Sequence, residues 1–135
     1  MRELDLQAQV ADYLRLQYPS VLFHSDFGSG TKLTMGQAIK QKRLNGGRRS
    51  WPDMFIAEPK TITTEDGDKY HYSGLFLELK KDGTHIYKKN GELVANEHIR
   101  EQYRVLSKLF ECGYMAEFAV GFDEAKEIID RYLRG

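Results

Sequence analysis

Three charged residues stand where apolar ones would be expected. Asp53 opens the apolar run 54–57 directly after Pro52, and Glu78 and Lys80 interrupt the run 75–80, LFLELK. In an extended strand successive side chains point to opposite faces. Leu75, Leu77 and Leu79 then share one face, and Phe76, Glu78 and Lys80 share the other. A strand this apolar reads as a central one, covered on both sides. Burying an unpaired carboxylate or ammonium there costs several kcal/mol. Either Glu78 and Lys80 form a salt bridge at a strand end near the surface, or the charges are arranged to bind something.

Asp53 bears on that choice. If its strand and the 75–80 strand are neighbours, Asp53 and Glu78 converge at one end of a sheet. Two converging carboxylates repel and shift each other's pKa unless a cation lies between them. Oxygen donors without a Cys or His cluster suit Mg²⁺ or Mn²⁺ rather than zinc. The four histidines, His24, His71, His85 and His98, show no ligand spacing and read as surface or structural residues. Cys112, the lone cysteine, rules out an internal disulfide and reads as a small core residue. No GxGxxG or Walker-type loop occurs, which removes nucleotide-driven chemistry.

The elements that must position these groups follow from periodicity. Leu6, Val10, Tyr13, Leu14 and Gln17 recur at helical spacing and predict a helix over Glu3–Gln17, ended by Pro19 and Ser20. A strand over 21–24, a loop over 25–36 and a short helix over 36–43 follow, the last stopped by Gly46 and Gly47. After the strand 54–57, residues 61–74 read as a hairpin turning at Asp66 and Gly67. The strand 75–80 leads to a small hairpin over 85–93 with Asn90 and Gly91 at its tip. Asn96 caps a helix reaching about residue 112, with Ile99, Leu106 and Leu109 as its buried stripe and Gly113 as its stop. Gln102 sits within that stripe, either as a core glutamine bonded to backbone or as a residue reaching a site. A strand over 114–120 and a helix over 123–133, with Ala125, Ile128, Ile129 and Tyr132 inward, complete the chain.

The order helix, three strands, helix, strand, helix predicts an α/β fold: a mixed central sheet flanked by helices. A length of 135 residues fits one domain over residues 1–135. No apolar run is long enough for a membrane helix and no signal peptide opens the sequence. With a lone cysteine, a reducing, cytoplasmic location without membrane contact is expected. Lys and Arg total 20, as do Asp and Glu, so the whole molecule is no generic polyanion binder. Yet residues 27–52 contain no acid and hold Lys32, Lys40, Lys42, Arg43, Arg48 and Arg49. Such a segment is either a phosphate-binding patch or a solvated face.

Taken in order, these features resemble a known family. They are an N-terminal helix with Glu3 and Gln7, GGRRSWPD ending in Asp53, GLFLELKK carrying Glu78 and Lys80, Gln102 in a helix, and ECGY. The set is similar to the small stand-alone VRR-NUC (virus-type replication-repair nuclease) family of the PD-(D/E)xK nuclease superfamily. The resemblance implies a restriction-endonuclease-like αβββαβ core. It also implies a metal-dependent DNA endonuclease, selective for branched DNA in the manner of Holliday-junction resolvases, acting as a homodimer in a bacterium or phage. It assigns Asp53, Glu78, Glu3 and the Leu79 carbonyl to a Mg²⁺ or Mn²⁺ ion, Lys80 to the attacking water, and Gln102 to the vicinity of the site. Gln7, one turn after Glu3 on the same face, is the alternative to Glu3. Lys32, Lys40, Lys42, Arg43, Arg48 and Arg49 would grip the flanking DNA backbone. Two other readings stand beside this one: a nucleic-acid-binding module inactive without a partner protein, and a structural domain with a coincidental motif. The segment 26–47 and the hairpin before Gly74 are longer than the minimal pattern, and Trp51 is bulkier than the small residue often found there.

Overall fold

The computed structural model describes residues 1–26, 32–48 and 50–135. The chain runs α1 (Glu3–Gln17), β1 (Phe23–Ser25), α2 (Met35–Leu44), β2 (Met54–Ile56), β3 (Lys60–Thr63), β4 (Lys69–Tyr72), β5 (Leu75–Lys80), α3 (Glu97–Glu111), β6 (Met115–Val120) and α4 (Gly121–Arg134). Four strands form the main sheet in the order β1-β2-β5-β6. β1 with β2 and β2 with β5 are antiparallel, whereas β5 with β6 is parallel. The sheet is therefore mixed, as the strand–helix–strand pattern predicts. Leaving aside α2 and the separate β3–β4 hairpin, the order is αβββαβ followed by α4.

β5 is central and all six of its residues are buried. Leu75, Leu77 and Leu79 pack into the main core with Leu6, Val10 and Leu14 of α1 and Ala125, Ile129 and Tyr132 of α4. Phe76 faces the other way, into a cluster with Val105 and Leu109 of α3. The alternation thus delivers Glu78 and Lys80 to the α3 side of the sheet. α3 is fixed at its start by Asn96, whose side chain accepts the Ile99 N–H at 3.0 Å. It ends at Gly113, whose φ of +99° supplies the left-handed turn that closes a helix.

Several details differ from the sequence-based expectation. β1 begins at Phe23 rather than at residue 21. The Leu22 carbonyl still accepts the Ala57 N–H at 2.8 Å, so the ladder continues irregularly there. α4 starts at Gly121, two residues early. The hairpin over 85–93 reduces to one bridge between Tyr87 and Leu93. Cys112 is exposed, not a core residue, because it caps the last turn of α3 on the solvent side. Residues 27–31 of the stretch expected as loop, and Arg49 of the basic set, lie outside the described residues. No helix among the described residues is long and apolar enough to cross a membrane.

Candidate functional site

β2 and β5 pair with Met54 opposite Leu77, so the same register brings Asp53 to Glu78 just beyond the end of β2. There the Leu79 N–H donates to Asp53 Oδ2 at 2.6 Å, and the Asp53 carboxylate extends the ladder by one rung. Glu78 is 3% exposed. Burial pushes its carboxyl well above the usual carboxylate range, and a hydrogen bond and charge from Asp53 push it further. Lys80 opposes that rise, and Glu3 adds to it. Asp53 and Glu78 therefore meet as a hydrogen-bonded pair of side chains at the end of the sheet. Lys80 is 6% exposed and joins none of the ion pairs among the described residues. The surface salt bridge between Glu78 and Lys80 is not what the fold builds.

Glu3, the first residue of α1, accepts the Lys81 N–H at 3.3 Å and so hangs over the end of β5. Glu3, Asp53 and Glu78 line one cavity of ≈ 100 Å³ together with Gln102 and His98 of α3. Gln7 is not in the lining of this cavity. Its amide donates to Ser25 Oγ at 2.6 Å and to the Asp26 carbonyl at 2.7 Å, tying α1 to the end of β1. Gln102 is buried, and its amide nitrogen lies 3.2 Å from His98 Nε2. It is thus no core glutamine bonded to backbone.

Two buried oxygens, Ser50 Oγ and Gln102 Oε1, have no hydrogen-bond partner among the described residues, and both residues line the same cavity. An unsatisfied buried oxygen costs about 1–3 kcal/mol. The carboxylates of Glu3, Asp26, Asp53 and Glu78, with two orphaned oxygens and one imidazole, form a donor set suited to a hard divalent cation. The residues fit such an ion in type and in shared location. As the side chains stand, no three acids, His or Cys among the described residues are close enough to ligate one together.

Trp51 also lines the cavity. Its ring meets Phe76 edge-on at 5.5 Å, and Phe76 stacks on Phe55 at 4.4 Å. The bulk of the indole is thus absorbed by an aromatic cluster beside the site. Lys32, Lys40, Lys42, Arg43 and Arg48 are all exposed. Sequence reasoning missed His98, Ser50 and Asp26 in the wall, and Gln41 and Asn45 of α2. The four-residue spacing of His98 and Gln102 was a usable signal; Ser50 carried none. A wider groove of ≈ 940 Å³ between α3, β6 and α4, spanned by the Arg131–Glu117 ion pair, contains none of these residues.

No protein-family model matches the chain, and no curated protein matches it. Among solved structures it is similar to one described as "VRR_NUC domain protein", at 23% identity and a TM-score of 0.63. The likeness covers 99% of this chain and 89% of that one. At this identity what is shared is the architecture, a mixed sheet flanked by helices, so that the chain has the fold of a VRR_NUC domain.

Proposed function

We propose that this protein is a divalent-metal-dependent endonuclease that hydrolyses phosphodiester bonds in DNA. The observation that carries the reading is the meeting of Asp53, Glu78 and Glu3, remote in sequence, in one cavity whose wall also holds the orphaned Gln102 oxygen. The fold shared with a VRR_NUC domain protein supports it. Asp53, Glu78 and Glu3 would hold Mg²⁺ or Mn²⁺. The Leu79 carbonyl would join them, because in a strand it faces the same side as the N–H that reaches Asp53. An ion bound there supplies charge neutralisation at the scissile phosphate and a bound water of lowered pKa. Glu78, whose carboxyl is pushed up by burial and by Asp53, would have to be ionised to serve as a ligand. The Lys80 ammonium orients the attacking water and offsets the negative charge that develops. Gln102 Oε1 accepts a hydrogen bond from that water, and its amide is held by His98.

Lys32, Lys40, Lys42, Arg43 and Arg48, with Arg49 from the sequence, grip flanking phosphates. Such contacts position the DNA without reading its bases, which suits recognition by shape, as at a branch or four-way junction. A homodimer would set two sites against two strands. The test is cleavage of plasmid and four-way-junction DNA with and without Mg²⁺ or Mn²⁺, beside sedimentation. Metal-dependent cleavage lost in Lys80→Ala supports the reading. No cleavage by pure protein under any metal, with Lys80→Ala indistinguishable from wild type, overturns it. The engaged Asp53–Glu78 pair favours one second reading, a DNA-binding module that needs a partner protein to open its site. Mn²⁺ affinity that depends on Asp53 in the isolated chain argues against that module.

A further inference from the structure

α2 is a helix that covers no core. None of its residues is buried, and Met35 and Ile39, one turn apart, are 81% and 65% exposed. Its helicity is secured locally instead. The Thr34 hydroxyl accepts the Gln37 N–H at 3.2 Å, and the Gln37 side chain accepts the Thr34 N–H at 3.0 Å. The period of the helix divides it into two faces. Gln41 and Asn45 are half-buried and line the acidic cavity. Ile39 and Arg43 fall on the opposite side, with Met35 and Lys42 flanking them, and all four are exposed.

An apolar pair between two cations is poorly matched to phosphate alone, which Lys and Arg grip unaided. It is well matched to a polyanion that also presents apolar faces. Residues 32–48 carry Lys32, Lys40, Lys42, Arg43 and Arg48 and no acid, so the charge of this surface selects a polyanion. Met and Ile are side chains that insert against base steps and hold them apart. Paired duplex hides its base planes, and unpaired strands expose them.

We propose that α2 is a base wedge: Met35 and Ile39 pack against unpaired bases beside the scissile phosphate while Lys42 and Arg43 hold the adjoining phosphates. Gln41 and Asn45, on the inner face, border the strand where it enters the cavity. This deepens the nuclease reading and rests on it, narrowing the substrate to DNA with unpaired bases next to the cleavage point.

The experiment compares a forked duplex carrying fluorescent aminopurine at its branch with a fully paired duplex, both titrated with protein in EDTA. Wild type is expected to bind the fork about tenfold more tightly than the paired duplex and to raise the aminopurine fluorescence. Met35→Ala/Ile39→Ala is expected to bring the ratio near one and abolish the rise, with an unchanged melting temperature because no buried surface is lost. Retention of both signals by the double variant, or equal binding of fork and duplex by wild type, overturns the wedge. A second copy of the chain is the rival occupant of this face. A wild-type dimer that the double variant dissociates overturns the wedge in its favour. Binding is read without metal, so absence of cleavage in the metal-containing assay sinks the nuclease reading separately.

Discussion

Lys80 is held at a cost to the fold. The residue is 6% exposed on the central strand, and the carboxyl of its neighbour Glu78 is pushed up by burial and by Asp53. A buried cation beside a carboxyl that resists ionisation recovers little of its lost hydration. Such an arrangement survives where chemistry requires it, at the expense of stability. Lys80→Met keeps most of the side-chain volume and removes the charge. The variant is expected to unfold at equal or higher denaturant concentration, with a gain of about 1 kcal/mol. DNA cleavage should fall by about 10²–10⁴-fold. Urea unfolding and the junction-cleavage assay read the two arms. A variant that is destabilised yet still cleaves would mean that Lys80 serves the fold and not the reaction.

Between elements, the contact that joins α1 to α4 is polar as well as apolar. Asp130 of α4 accepts hydrogen bonds from the Tyr13 and Tyr18 hydroxyls, both at 2.6 Å, and from Lys126 at 3.1 Å. Burial alone would push the Asp130 carboxyl up. The hydrogen bonds from Tyr13, Tyr18 and Lys126, with the charge of Arg134, override it and bring the pKa from 3.8 down to about 2. The folded pKa is depressed, so the stabilisation is present above the unfolded value and is lost as pH falls through the folded one. That difference is worth about 2 kcal/mol. Wild type should lose this amount between about pH 4 and pH 2, whereas Asp130→Asn should start lower at pH 7 and lack that step. Unfolding free energies measured across this range check it; identical acid profiles for the two proteins would discount the Asp130 network. None of this was legible in the sequence, because Tyr13 and Asp130 are 117 residues apart and only the packing of α1 on α4 brings them together. What was legible had local causes. The alternation of LFLELK gave both faces of β5, Asn96 and Gly113 marked the ends of α3, and the polar break at Gln102 marked a cavity wall. The Cys112 assignment failed for the converse reason: a helix-end residue can turn to solvent without disturbing any periodicity.

Over the whole molecule, charge is separated, not accumulated. Twenty Lys and Arg balance twenty Asp and Glu, yet the acid-free segment 27–52 leads directly into the cavity that gathers Glu3, Asp53 and Glu78. Four acidic residues, Glu3, Asp26, Asp53 and Glu78, line this cavity of ≈ 100 Å³, and burial together with Asp53 pushes the Glu78 carboxyl up. On the nuclease reading a divalent cation would offset this charge, and it would bind the folded chain alone, because the unfolded chain does not bring these acids together. Mass action then requires that Mn²⁺ raise the stability of the whole domain, by about 2.7 kcal/mol at one hundred times its dissociation constant. Ligation would require an ionised Glu78, whose carboxyl is pushed up by burial and by Asp53, so the effect is expected to grow as pH rises and to shrink in acid. Asp53→Ala should abolish it. Thermal unfolding with and without Mn²⁺ at two pH values, for wild type and Asp53→Ala, measures all three expectations. Equal Mn²⁺ stabilisation of both proteins would place the ion away from the end of β5 and remove the physical basis for hydrolysis there.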